Sequence, residues 1–189
     1  MSNEKGKLII ISGPSGSGKG TIIAELMRRL PDLVFSVSAT TREPRDKEID
    51  GEHYHFLSQE RFLEMIENDE LLEHAKYVDN YYGTPRKLID DCINNGISVI
   101  LDIEVQGAKQ VMKKIPEAIT VFVTPPSMRE LEKRLRGRGT DSEHKIKSRL
   151  NRARIEMEEK IHYNHIVVND VVSHAASQIM KLITRKDKK

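Results

Sequence analysis

Gly13-Pro14-Ser15-Gly16-Ser17-Gly18-Lys19 fits the pattern G-x-x-x-x-G-K. Glycines at these intervals let the backbone curl until several N–H groups point at one phosphate, and the terminal lysine reaches the outer phosphates of a nucleotide. The flanks suit that chemistry. The aliphatic run Leu8-Ile9-Ile10-Ile11 predicts a buried strand before the loop, and Ile22 to Leu30 has helical spacing after it, ended by Pro31. A helix N-terminus there adds its partial positive charge to that of the lysine. One position departs from the usual pattern: Gly20 stands where Ser or Thr commonly touches Mg²⁺, and Thr21 follows one residue later. The ion is therefore expected to be held mainly through water and phosphate oxygens, which suits a cation that keeps several waters.

A carboxylate that organises such an ion belongs at the end of a second apolar strand. Asp102, after Ile97-Ser98-Val99-Ile100-Leu101, has that position, although a helix N-cap would look the same. Asp102 and Thr21 are the two candidates for reaching the metal through water. Thr40-Thr41-Arg42-Glu43-Pro44-Arg45 sets two forked donors three apart, a pairing that suits a dianionic phosphate and equally a solvated loop. On the helix predicted from Ser127 to about Arg136, Leu131 and Leu135 form one i,i+4 pair and Arg134 and Arg138 a second, on another face. Gly137-Arg138-Gly139 should break that helix as a movable flap needs, and Arg149, with Arg152, could approach the same place. Beside a triphosphate these arginines would neutralise charge as a phosphoryl group moves. Glu73 precedes Tyr81-Tyr82-Gly83-Thr84, so a carboxylate and hydroxyls could line one pocket. Guanine offers N1–H and an exocyclic amine side by side where adenine has no N1 donor, so a carboxylate tells them apart.

The remaining segments must position these groups. Strands near Val34–Val37, Ile97–Leu101, Ile119–Val123 and Ile166–Val168 alternate with helices over Val105–Lys113, Ser127–Arg136 and Ser173–Thr184, a pattern that predicts an α/β fold with a parallel sheet. From about Ser38 to Pro85 the pattern changes to turn chemistry at Asp50-Gly51, mixed alternation in His53-Tyr54-His55-Phe56, and one amphipathic helix near Gln59 to Asn68; it reads as an inserted α+β subdomain. His53 and His55 are expected on one side of a strand, and the seven histidines show no spacing suited to zinc.

The 189 residues suffice for one compact domain with a small insertion. The net charge of +2 argues neither for nor against a nucleic-acid partner, but it hides two opposed segments. Residues 43–80 carry 12 acidic side chains against 4 Lys and Arg, and residues 129–154 carry 10 Lys and Arg against 4 acidic ones. The basic segment lacks interleaved aromatics for base stacking, so nucleic acid is not an expected partner. The run Leu8 to Ile11 is too short for a membrane span or a signal-peptide core, which predicts a soluble, unexported, cytoplasmic protein. The lone Cys92 cannot form an internal disulfide and reads as a small helix residue.

Taken together, these motifs resemble the guanylate kinase family, nucleoside monophosphate kinases that pass a phosphoryl group from ATP to GMP. The resemblance runs from Gly13-Pro14-Ser15-Gly16 through Ser36-Val37-Ser38-Ala39-Thr40-Thr41-Arg42-Glu43-Pro44-Arg45, Asp50-Gly51-Glu52-His53-Tyr54, Asn80-Tyr81-Tyr82-Gly83, Ile100 to Gly107 and Arg134 to Gly139, ending at Val168-Asn169-Asp170. It implies a three-layer P-loop NTPase fold with a central parallel sheet, in which residues 1–37, 86–136 and 150–189 form the core, 38–85 a GMP-binding subdomain and 137–149 a helical lid. It further implies that Ser38, Arg42, Arg45, Tyr54 and Tyr82 hold the GMP phosphate and its surroundings, and that Glu73, Thr84 and Asp102 read the guanine. Gly13 to Thr21 with Arg134, Arg138 and Asn169 would bind ATP. Lys19, Arg42, Arg134, Arg138 and Arg149 would carry the catalysis, with Mg²⁺ accompanying ATP. Purine nucleotide metabolism, acceptance of dGMP, and a monomer or homo-oligomer without membrane partners complete the expectation. A related kinase acting on another phosphate acceptor, or a phosphopeptide-binding scaffold of kinase-like fold, would share parts of this sequence. Intact Gly18-Lys19 argues against the scaffold.

Overall fold

Apolar runs that are too short for helices and rich in β-branched residues pack best as strands covered on both faces, and each of the long ones does so here. The computed structural model describes residues 5–77, 79–137, 139 and 141–185. Its elements run β1 (Leu8–Ser12), α1 (Lys19–Arg29), β2 (Val34–Phe35), β3 (Ala39–Thr40), β4 (His55–Phe56), α2 (Gln59–Glu67), β5 (Leu71–Tyr77), β6 (Asn80–Pro85) and α3 (Lys87–Asn94). There follow β7 (Val99–Asp102), α4 (Val105–Lys114), β8 (Ile119–Thr124), α5 (Met128–Gly137), α6 (Glu143–Glu158), a 3₁₀ turn over Glu159–His162, β9 (His165–Val168) and α7 (Val172–Thr184). The expected α/β class with a central parallel sheet is what the chain adopts: β1 with β8, β2 with β7, and β8 with β9 each pair in parallel register.

The chain divides into two compact units. One comprises the residues up to Leu8, Asp32–Leu101 and Gln106–Ala118. Within it β2 pairs with β7, and a second sheet runs β4-β3-β6-β5, whose long member is the antiparallel hairpin of β5 and β6. Ala39, Phe62, Met65 and Leu71 form its core under that sheet, with the Phe62 and Tyr81 rings stacked at 5.5 Å. Ser58 caps α2 by accepting the Arg61 N–H at 3.2 Å. The apolar run at Ile97 starts its strand two residues late, because the Ile97 N–H closes the end of α3 on the Cys92 carbonyl. Cys92 is a buried helix residue. His53 departs from expectation. Only His55 and Phe56 are strand, while His53 sits in a turn and its Nδ1 accepts the Ile49 N–H at 3.2 Å.

The other unit comprises Ile9–Pro31, Asp102–Val105 and the chain from Ile119 onward. Its ladder sets β8 between β1 and β9, with β1 buried along its whole length. A separate apolar cluster of Leu131, Leu135, Ile146, Leu150 and Ala153 joins α5 to α6. Gly137, expected to break the helix, is still part of α5. Gly139, at φ +66°, donates its N–H to the Arg136 carbonyl at 3.1 Å. Arg138 lies outside the described residues. Among those residues no helix is long and apolar enough to cross a membrane.

Candidate active site

The phosphate loop owes its shape to backbone that only glycine adopts cheaply. Gly13 has φ +141° and would set a Cβ 2.2 Å from the Val123 carbonyl oxygen; Gly18, at φ +91°, would set one 2.2 Å from Asn169 Nδ2. Gly18 also precedes α1 without any side-chain cap, so the first N–H groups of the helix keep their donors for a ligand. Lys19 Nζ reaches back to the Gly13 carbonyl at 2.8 Å. Asn169 Nδ2 donates to the Ser17 carbonyl at 2.7 Å, and Arg134 donates to the same carbonyl and to the Asn169 carbonyl at 3.3 and 2.9 Å. Arg149 donates to Ser15 Oγ at 2.6 Å and pairs with Asp141. Arg152, in contrast, pairs with Glu104 and Glu156. Two deeply buried acceptors of this unit, Ser17 Oγ and Asn169 Oδ1, have no hydrogen-bond partner among the described residues.

Asp102 ends β7 and belongs to this unit. Burial pushes its carboxyl above the ordinary range, the Lys19 ammonium opposes that, and Glu104 adds to it. Among the described residues no group of three or more His, Cys, Asp or Glu could hold a metal ion. A single carboxylate beside a phosphate cradle is nevertheless the donor set that Mg²⁺ accepts, because the ion completes its shell with phosphate oxygens and water. Gly20 has open space around it and Thr21 is exposed on the first turn of α1.

In the other unit the hairpin brings Glu73 and Thr84 opposite each other in register. Both are buried, and the Thr84 hydroxyl donates to Glu73 Oε1 at 2.6 Å. Gly107 makes the room: a Cβ there would lie 2.3 Å from Glu73 Oε2. Arg42 stacks over the Tyr54 and Phe56 rings at 5.3 and 5.6 Å from their centroids, and the Tyr54 and Tyr82 rings meet edge to face at 6.2 Å. Its guanidinium grips Glu48 through both terminal nitrogens at 2.8 and 3.0 Å. The pKa of Arg42 is raised chiefly by that pair and further by the Tyr82 hydroxyl, and the carboxyl of Glu48 is held down at about 2. Arg45 is exposed, and its charge helps to lower the Glu48 carboxyl. Ser38 is partly buried just before β3, and its carbonyl accepts the His55 N–H at 2.8 Å.

Arg42, Tyr54 and Tyr82 thus gather in one place, Glu73 and Thr84 in a second, and Lys19, Asp102, Arg134, Arg149 and Asn169 around the phosphate loop. Glu48 and Asp141 escaped the sequence reading, which gives Phe56 and Gly107 no site role. Glu48 is six residues from Arg42 in an irregular loop and Asp141 eight before Arg149, spacings that carry no periodic signal.

A family model described as guanylate kinase matches residues 5–186. A guanylate kinase of Desulfitobacterium hafniense (strain Y51) is 49% identical over 183 residues, covering 97% of this chain and 92% of that one. One from Streptococcus thermophilus (strain CNRZ 1066) is 49% identical over 182 residues, covering 96% and 87%. The crystal structure of guanylate kinase from Anaplasma phagocytophilum superposes with a TM-score of 0.77 at 32% identity, over 95% of this chain and 85% of that one.

Proposed function

The chain belongs to the guanylate kinase family, the ATP:GMP phosphotransferases, and on that premise we propose how its residues divide the work. Residues 38–85 take GMP, residues 137–149 act as the lid, and the remainder is the core that takes ATP. The observation that carries the acceptor assignment is the buried pair of Glu73 and Thr84. A carboxylate with a hydroxyl at its side accepts from the N1–H and amine of guanine, and leaves adenine with an unpaired polar site. Asp102 would join in reading the base or hold Mg²⁺ through water.

Arg42, Arg45, Tyr54, Tyr82 and Ser38 take the GMP phosphate. That phosphate is already anionic, so no general base is needed, and catalysis is positioning with charge neutralisation. The loop amides from Gly13 to Thr21 and the Lys19 ammonium hold the donor phosphates. Arg134, Arg138 and Arg149 spread over the charge that develops on transfer. Asn169 Oδ1, buried without a partner among the described residues, suits the amine of adenine. Asp102 and Thr21 would hold Mg²⁺ through water, and the ion would supply charge neutralisation to the donor phosphates. The lid excludes water, since transfer to water would waste ATP. The setting is cytoplasmic purine nucleotide metabolism, with dGMP as a second acceptor, as a monomer or homo-oligomer that engages neither nucleic acid nor membrane.

ADP formation from ATP and Mg²⁺, measured with GMP, AMP, UMP and CMP separately against a blank without acceptor, tests this reading. Turnover is expected with GMP alone. Comparable turnover with AMP would refute the base-reading role of Glu73 and Thr84.

A further inference from the structure

Arg42 carries five N–H donors in a planar fork. Three of them are committed within its own loop: Nη1 donates to the Glu43 carbonyl at 2.7 Å and to Glu48 Oε2 at 2.8 Å, and Nη2 to Glu48 Oε1 at 3.0 Å. Nε–H and one hydrogen of Nη2 remain for further acceptors, of which the Tyr82 hydroxyl is one. Glu48 also ties down Arg45. Its Oε2 accepts the Arg45 N–H at 2.7 Å while its own N–H donates to the Arg45 carbonyl at 3.0 Å. Lys47 makes this turn in the left-handed region, at φ +69°. One carboxylate therefore fixes both the rotation of one arginine and the backbone of the other.

We propose that Glu48 is a positioning residue for the acceptor phosphate: it holds Arg42 by its terminal nitrogens so that the Nε edge is presented to the phosphate, and it fixes the backbone from which Arg45 reaches. This rests on the reading that Arg42 takes the GMP phosphate. The hydrogen bonds from Arg42 hold the Glu48 carboxyl at about 2, which favours the ionised form that grips the arginine. Glu48 sits in the loop before β4, outside the cluster of Ala39, Phe62, Met65 and Leu71.

Glu48→Gln keeps the shape but turns one acceptor into an amide donor facing Arg42. Calorimetric titration of the enzyme with GMP and with guanosine, in wild type, E48Q, R42A and the double variant, separates the roles. E48Q should weaken GMP about tenfold or more, leave guanosine within about twofold, and cost clearly less in the R42A background, where only its hold on the Arg45 backbone remains. Equal weakening of GMP and guanosine would show a damaged subdomain and overturn the proposal, as would the same loss with and without Arg42. Tighter GMP binding by E48Q would overturn it too, because the carboxylate would then be competing for the arginine. If R42A itself leaves GMP affinity unchanged, the assignment of Arg42 to the phosphate falls and the inference with it. An R42A effect with a silent E48Q overturns the inference alone.

Discussion

Lys19 donates to a neutral carbonyl, that of Gly13, at 2.8 Å. A charged phosphate oxygen outcompetes such an acceptor, because charge-assisted hydrogen bonds are about twice as strong as neutral ones. Lys19→Met should accordingly lower turnover about a hundredfold to a thousandfold while the chain still folds, the range seen when one donor to transition-state charge is removed. Steady-state ADP formation beside a thermal melt measures both, and near-normal turnover would refute the role. The same substitution takes away a charge that pulls the Asp102 carboxyl down, so burial would hold that acid further above its ordinary range.

Helices α5 and α6 bring Arg134 and Arg149 to the loop, and a small apolar cluster joins them. Leu135 is fully buried in that cluster and its methyl lies beside Gly16. Leu135→Ala should cost about 2–5 kcal/mol of stability, read by denaturant unfolding, through lost burial and the cavity left behind. A cost under about 1 kcal/mol would mean that the cluster collapses around the smaller side chain. Elements of this kind were legible from the sequence because their signals are local. Leu131 and Leu135 repeat at helical spacing, and β1, β7 and β8 are nearly unbroken apolar runs. The hairpin of β5 and β6 carries Glu73 and Thr84 yet went unassigned, since Glu73-His74-Ala75-Lys76 alternates weakly and its register depends on the partner strand. For the same reason the sequence named Glu73 and Thr84 but not Gly107, whose missing side chain matters only once the chain has folded against Glu73. Arg42 was legible as a phosphate ligand candidate, while the carboxylate that grips it was hidden in an aperiodic loop.

For the whole molecule, net charge of +2 conceals carboxylates whose ionisation the fold favours. Glu25 is held at about 2 by hydrogen bonds from Arg28 and Arg29, and Glu48 at about 2 by Arg42, both well below the ordinary 4.5. A carboxyl depressed in the folded state contributes stability above its ordinary pKa, and that contribution is lost as pH falls from about 4.5 towards about 2. Asp102 has the opposite sign: raised by burial, it contributes below its ordinary value and loses that contribution as pH rises through its folded value. Urea midpoints should fall as pH drops below about 4.5, less steeply in the double variant E25Q/E48Q. An unchanged slope in that variant would assign the acid lability to other groups. The central claim is that buried Glu73 reads the guanine, and kinetics of Glu73→Gln test it most directly. The KM for GMP should rise about tenfold or more while the KM for ATP stays within about twofold of wild type. An equal rise in both would contradict the claim and leave Glu73 as a structural residue of the hairpin.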